Sequence, residues 1–381
     1  MQAEACAKAH HKQILTESSR FTRGVVATVP APPEAGHTIR AVVHLRIVAP
    51  NAACRHVLDL LENSESAFNI VHFEGVARKP DGDLVLADVA RKDVSLLVAD
   101  LRELDVDVDG SIAIEEVDAE ISKISEDAFR HRRDDFGSDP VVWENVSSRT
   151  SENVELSYSY LIFMTAAMLI ASVGIYFNQP ILIVGAMVVG PDFGPIAGVC
   201  VAIVNRSRKL VRRSAAALFI GFLVGTVVTY LMTLLLREVG QIPETINFDS
   251  HSLVRFISNP DFFSVYVALA AGVVGMLSLT TAKSSALVGV LISVATVPAA
   301  SNIGVAAAYT DWATAWGATA QLMLNLTSIF VAGLLTLTLQ RRIYMRRRRI
   351  HLSDGARGPA GLPIGQSRRA DIDPDQEPAA E

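Results

Sequence analysis

Residues 180–204, PILIVGAMVVGPDFGPIAGVCVAIV, decide how this chain is read. The segment has the length and apolarity to cross a hydrocarbon core, for which about 20 residues cover roughly 30 Å. At its centre, however, Gly190, Pro191, Gly194 and Pro195 bracket an acid, Asp192. Proline removes a backbone donor and clashes with the preceding turn, so two half-helices are expected instead of one rod. Backbone groups freed at that depth survive only where other helices bury them or water lines them. A carboxylate there costs about 2.5–3.5 kcal/mol on insertion scales, which marks Asp192 as a candidate ion- or solute-binding group. The competing reading is a structural kink in which Asp192 caps the second half-helix, with Pro195 near its start.

Outward from this segment, six stretches reach spanning length: Tyr160 to Phe177, Pro180 to Val204, Ser214 to Leu236, Phe262 to Ala282, Ser285 to Ala308, and Trp316 to Leu339. The fifth, SALVGVLISVATVPAASNIGVAAA, is also interrupted, at Pro298, and continues through Ser301 and Asn302. IVGAMVVGPDFGPIAGV and LVGVLISVATVPAASNIGV share an apolar-Val-Gly opening and break before a small-residue half. They are the middle members of two sets of three spans, so the second set enters in the opposite sense. Paired broken helices of that kind place a binding site at the midplane in secondary transporters. Asn325, one turn from Gln321, is a further candidate, although amides in spans also serve as glue between helices.

Charge orients the chain. Arg206, Arg208, Lys209, Arg212 and Arg213 fill one loop, and Arg346, Arg347, Arg348 and Arg349 follow the last span. The positive-inside rule then puts both termini in the cytoplasm, with these basic residues as topology and lipid-headgroup contacts. The half before Tyr158 holds 17 basic and 28 acidic residues, net −11, and the rest 17 and 12, net +5. The overall −6 of the 381 residues is therefore a sum across a membrane boundary and argues nothing about nucleic acid, which is not an expected partner.

The acidic half reads as α+β. Strand-like Arg40 to Val48, a helix with Ala53, Val57, Leu60 and Leu61 behind Asn51, two strands joined around Lys79 to Gly82, a helix with Val94, Leu97, Val98, Leu101 and Leu104, and GSIAIEEVD follow in order. The order β-α-β-β-α-β is that of a split βαβ, ferredoxin-like sandwich. Cys6, Cys54 and Cys200 form no CxxC, and His44, His56 and His72 stand singly, so no metal site, cofactor or catalytic constellation is expected. Asp105, Asp107 and Asp109 lack the rest of a calcium loop and read as a solvated turn.

The domains expected are a disordered leader over 1–36, a ferredoxin-like cytoplasmic domain over 37–118, a helical linker over 119–157, a six-span membrane domain over 158–342, and a basic juxtamembrane segment with a disordered tail over 343–381. GAMVVGPDFGPIAGV and the soluble segment GVARKPDGDLVLADVAR together resemble the bacterial membrane family known as domain of unknown function 389, over about residues 38–340. The motif positions are Gly185, Ala186, Met187, Pro191, Gly194 and Pro195. The resemblance implies a short ferredoxin-like domain before a hydrophobic one. Many members carry Ser before the first proline and apolar residues after it, where this chain has Gly190 and Asp192. The function expected is a small-solute or ion transporter of the cytoplasmic membrane, not an enzyme, with homo-oligomerisation left open. The alternative is a membrane-anchored sensor or regulatory subunit that binds a small effector through its soluble domain.

Overall fold

The computed structural model describes residues 42–117, 146, 156–243, 252–281, 289, 290, 292 and 294–368. The expected leader, the expected helical linker apart from residues 146, 156 and 157, and residues 369–381 lie outside the described residues.

The first unit runs β1 (Val42–Ala49), α1 (Asn51–Asn63), β2 (Ala67–Arg78), β3 (Asp81–Ala90), α2 (Val94–Glu103), α3 (Val106–Asp109) and β4 (Ser111–Val117). The sheet is antiparallel in the order β2-β3-β1-β4. Alternation along β1 sends Val43, Leu45, Ile47 and Ala49 into one core. Helical spacing brings Val57, Leu60 and Leu61 of α1 and Val94, Leu97, Val98 and Leu101 of α2 onto it. Two local expectations change. Asn51 is the first helical residue after a Pro50 cap, and Cys54, not Ala53, faces the core. The DVDVDG stretch is a one-turn helix, with Asp107 paired to Arg102 at 3.1 Å.

The apolar half contains α4 (Tyr158–Tyr176), α5 (Pro180–Val189), α6 (Phe193–Val204), α7 (Arg208–Glu238), α8 (Ser252–Ser258), α9 (Phe262–Thr280), α10 (Thr296–Ala308) and α11 (Trp312–His351). Four of these are long and apolar enough to cross a membrane, and the pair α5 and α6, bent by 46°, makes a fifth span if counted as one. Of the expected span Ser285 to Ala308, the second half is described as α10. Asp261 and Asp311 accept the backbone N–H groups of Ser264 and Thr314 and so cap α9 and α11. Exposed Phe262, Phe263, Trp312 and Trp316 sit at the same helix starts, as aromatic residues do at a membrane interface.

Contacts fix the relative directions. Tyr160, Met168 and Tyr176 of α4 meet Gly221, Gly225 and Thr233 of α7 in that order, so the two helices run parallel. Gly272 and Met276 of α9 meet Ile329 and Gly333 of α11, again parallel. Cys200 and Val204 of α6 meet Phe330 and Arg341 of α11, and Ala300, Gly304 and Ala308 of α10 meet Thr226, Tyr230 and Arg237 of α7. Small residues permit this closeness. A Cβ on Gly304 would lie 2.8 Å from the Thr226 carbonyl oxygen, and a backbone atom in a helix cannot step aside. Gly304→Leu is therefore expected to cost about 1–3 kcal/mol through overpacking, read as a lower melting temperature in detergent, whereas the same change at Gly240, where a Cβ meets nothing within 4 Å, tests only its positive φ.

The C-terminal part corrects the expected domain limits. No helix end occurs near residue 342: α11 has 40 residues, about 60 Å at 1.5 Å per residue, twice the hydrocarbon thickness. It carries the chain out of the apolar bundle and onto the sheet unit. Residues 352–368 then wrap that unit, with Ala360 and Leu362 inside its hydrophobic core, so this portion of the expected disordered tail is packed structure.

Candidate functional site

The broken helix places the candidate site. Residue Gly190 ends α5 in extended backbone and Asp192 precedes α6 at the N-cap position, where its side chain makes no capping bond. Its carboxylate instead accepts a hydrogen bond from Thr296 Oγ1 at 2.5 Å. Thr296 is the first residue of α10, two before Pro298. A Cβ on Gly190 would stand 2.7 Å from Val297. The two interruptions read from the sequence therefore meet, and a carboxyl group joins them. Asp192 is 5% exposed and, among the described residues, has no cationic partner.

The other expected residues divide. Pro191 lies in the break before α6, Gly194 and Pro195 lie in its first turn, and Pro298 lies buried in the first turn of α10. Ser301 donates to the Met168 carbonyl at 2.8 Å and Asn302 to Ser258 Oγ at 2.8 Å, tying α10 to α4 and α8. Gln321 donates to Asn325 within α11 at 3.3 Å. None of these three bonds reaches Asp192. They are cross-helix or local glue, although the Asn302 and Gln321 carbonyl oxygens are buried acceptors without a partner among the described residues. The residue missed from the sequence is Thr296. Its place two residues before Pro298 in the other interrupted segment was the available signal, and hydroxyls are common in spans.

Of the basic residues, Arg206, Arg208, Lys209, Arg212, Arg213, Arg346 and Arg349 are exposed. Arg347 and Arg348 instead meet acids of the sheet unit. Arg347 reaches Asp93 at 3.0 Å, and Arg348, fully buried, donates to Asp100 at 2.6 Å and to Glu103 at 2.6 Å. Arg357 from the wrapping segment bonds the same two acids, and His351 Nε2 lies 2.8 Å from Asp100. Acids of α2 thus hold arginines from α11 and the segment after it. Burial alone would raise the Asp100 carboxyl, but the His351 hydrogen bond and the Arg348 and Arg357 charges outweigh it and hold it below the ordinary carboxylate value. Burial would likewise lower Arg348, and the charge and hydrogen bond of Asp100 keep it raised. A third cluster lies at one end of the sheet, where Cys54, His72 and Asp83 bring one ligand atom each within 4.8 Å of one another.

The arrangement defines a class: an apolar helical bundle of membrane-spanning length, with a buried carboxyl at a broken helix, joined by a continuous helix to a small α+β unit. Residues 187–331, less than half of the chain, match the DUF389 family model, described as domain of unknown function. The chain is also 25% identical over 158 residues to the uncharacterized protein MJ0678 of Methanocaldococcus jannaschii, a match covering 42% of this chain and 47% of that protein. The chain thus spans about half the length of this curated relative. No solved structure matches it.

Proposed function

We propose that the protein is a six-span membrane transporter of a small solute or ion, with Asp192 binding the cation or proton. The observation that carries this reading is the Asp192–Thr296 bond between two helix breaks inside an apolar bundle. An acid kept there with no cationic partner among the described residues is costly unless it has a use. The half-helix ends at Pro195 and Pro298 add backbone dipoles to the same place.

The contact pattern supports an inverted repeat. Helices α4 and α7 of the first set run parallel, as do α9 and α11 of the second. The second half of each broken span lies along the third span of the other set, α6 on α11 and α10 on α7, and runs parallel to it. Alternating directions along the chain then give the two sets opposite senses. Both basic groups, 206–213 and 346–349, fall on the side of the sheet unit, which by the positive-inside rule is cytoplasmic. The sheet order supports a ferredoxin-like regulatory domain in that position.

The test uses purified protein in vesicles carrying a luminal pH dye and a set diffusion potential. Wild-type protein is expected to accelerate proton or cation entry, and Asp192→Asn to reduce it to the rate of empty vesicles. Equal flux in both removes Asp192 from the mechanism.

The sensor reading keeps one specific support, the helix that passes from the bundle into the sheet unit and carries Arg348 to Asp100. Residues 37–118 alone are a poor reagent for testing it, because they leave Asp100 and Glu103 without their arginines. Ligand-dependent melting is better sought in the full chain.

A further inference from the structure

The sheet unit holds a group of side chains that neither the bundle nor the interdomain network uses. Cys54 comes from the first turn of α1, His72 from β2 and Asp83 from the start of β3. Cys54 Sγ lies 3.5 Å from His72 Nε2, and the same Nε2 lies 3.1 Å from Asp83 Oδ2. Two features argue against a chance polar contact.

The first is convergence. A nucleophile relay needs the thiol on one imidazole nitrogen and the acid on the other. Here both partners address Nε2, which carries at most one hydrogen, so no relay is built. A tetrahedral ion with metal–sulfur near 2.3 Å and metal–nitrogen near 2.0 Å sets those ligand atoms about 3.5 Å apart, and two N or O ligands about 3.4 Å apart. The observed separations of 3.5 and 3.1 Å are close to those values.

The second is support around the ligands. Gly75 adopts φ +61°, which glycine tolerates at no steric cost, and that turn aims its N–H at the other Asp83 oxygen, Oδ1, at 2.7 Å. Outer partners of this kind orient a ligating carboxylate. His72 sits in a short regular patch of β2, between register shifts at Phe68/Val71 and Phe73/Ala77. Bulges re-aim side chains in this way on edge strands.

We propose that Cys54, His72 and Asp83 form a three-ligand site for a divalent transition-metal ion of the zinc class, with its fourth position open to solvent. Thiolate, imidazole and carboxylate together favour such ions over magnesium or calcium. Cys54 and Asp83 are buried, while the His72 side chain is 33% exposed, which leaves the approach on the histidine side. Without metal, burial and the neighbouring Asp83 push the Cys54 thiol up to about 12. Binding breaks the S–H bond, forms the metal–sulfur bond and releases the proton to water, so affinity rises with pH. The ion links the edge strand β2 to α1 and β3 and stiffens that end of the sheet.

The experiment titrates the metal-free full-length protein in detergent with Co2+, followed by Zn2+ competition. Wild-type protein is expected to give a saturable thiolate-to-cobalt charge-transfer band and the strong visible bands of four-coordinate cobalt, both displaced by Zn2+. Cys54→Ser is expected to lose the charge-transfer band. His72→Ala is expected to weaken Co2+ binding by about 100-fold or more, since even outer-shell partners contribute 10–100-fold, and the metal-free melting temperature of each variant, measured alongside, separates lost binding from the lost His72–Asp83 bond. Zn2+ raises the melting temperature of wild-type protein only, and Mg2+ of none. Absence of saturable binding by wild-type protein overturns the site, as does a charge-transfer band that persists in Cys54→Ser.

Discussion

Arg348→Ala is expected to destabilise the junction of α11 with the sheet unit by about 3–5 kcal/mol, the usual cost of breaking a buried ion pair from one side. Arg348, Arg357, Asp100 and Glu103 are all fully buried, so the charges left behind have no water to turn to. Removal of one guanidinium leaves the two carboxylates to share Arg357, with His351 beside Asp100 and the Ser367 hydroxyl on Glu103. The neighbouring Arg349 is exposed, and its replacement is expected to change stability by less than about 0.5 kcal/mol. Thermal unfolding of the two variants, with limited proteolysis of the segment after His351, measures the difference. Equal melting temperatures for Arg348→Ala and Arg349→Ala remove the network as the clasp. The sign of the pH dependence follows from Asp100. Its folded carboxyl is held below the ordinary 3.8, so its contribution is complete above that value and disappears as pH falls through the lower folded one. The Asp100 contribution to the clasp is therefore expected to be lost only in acid, below the ordinary carboxylate value. In an Asp100→Asn background, Arg348→Ala is expected to cost much less, and the shortfall is the coupling between the two residues.

Composition and periodicity carried the architecture because both report burial one element at a time. The apolar runs of α4, α7 and α9 and the alternation of β1 are local patterns, and no partner is needed to recognise them. Pro191 and Gly190 announced the break, and the likeness of the two interrupted segments announced that a second break mattered. What stayed hidden was pairing across long separations. Thr296 stands 104 residues from Asp192, and nothing in its own neighbourhood distinguishes it from Thr280 or Thr281. Cys54, His72 and Asp83 are spaced by 18 and 11 residues, which match no metal motif, and only the sheet register brings them together. The arginine run misled for a related reason. Six arginines after a span look alike in sequence, and a helix of 40 residues presents them to different surroundings. Arg348 faces the acids of α2, while Arg346 and Arg349 face outward. The deficit of positive charge in the first half, net −11, was the available clue that some of those arginines had acids to meet.

Asp192→Asn is expected to raise the melting temperature of the protein in detergent, even as it abolishes flux. The amide has nearly the same shape and still offers an oxygen to Thr296 Oγ1, 2.5 Å away in the wild type. It carries no ionisable group, so the penalty of about 2.5–3.5 kcal/mol attached to a carboxylate at membrane depth is largely relieved. Thr296→Val has the opposite effect, because it strips the buried acid of its cross-helix donor, and a lost hydrogen bond to a charged group costs about 1.5–3 kcal/mol. The pair of variants separates two accounts of the same geometry. If the acid is a structural cap for α6, both substitutions lower the melting temperature, since a neutral amide is a weaker partner for the positive end of the helix. If the acid is retained for binding, stability and activity move in opposite directions at Asp192, as they do where a site is held in an unfavourable state for the sake of its chemistry. Its side chain makes no capping bond to the turn that follows and turns instead toward Thr296 of the other broken helix, so the capping account lacks its defining bond.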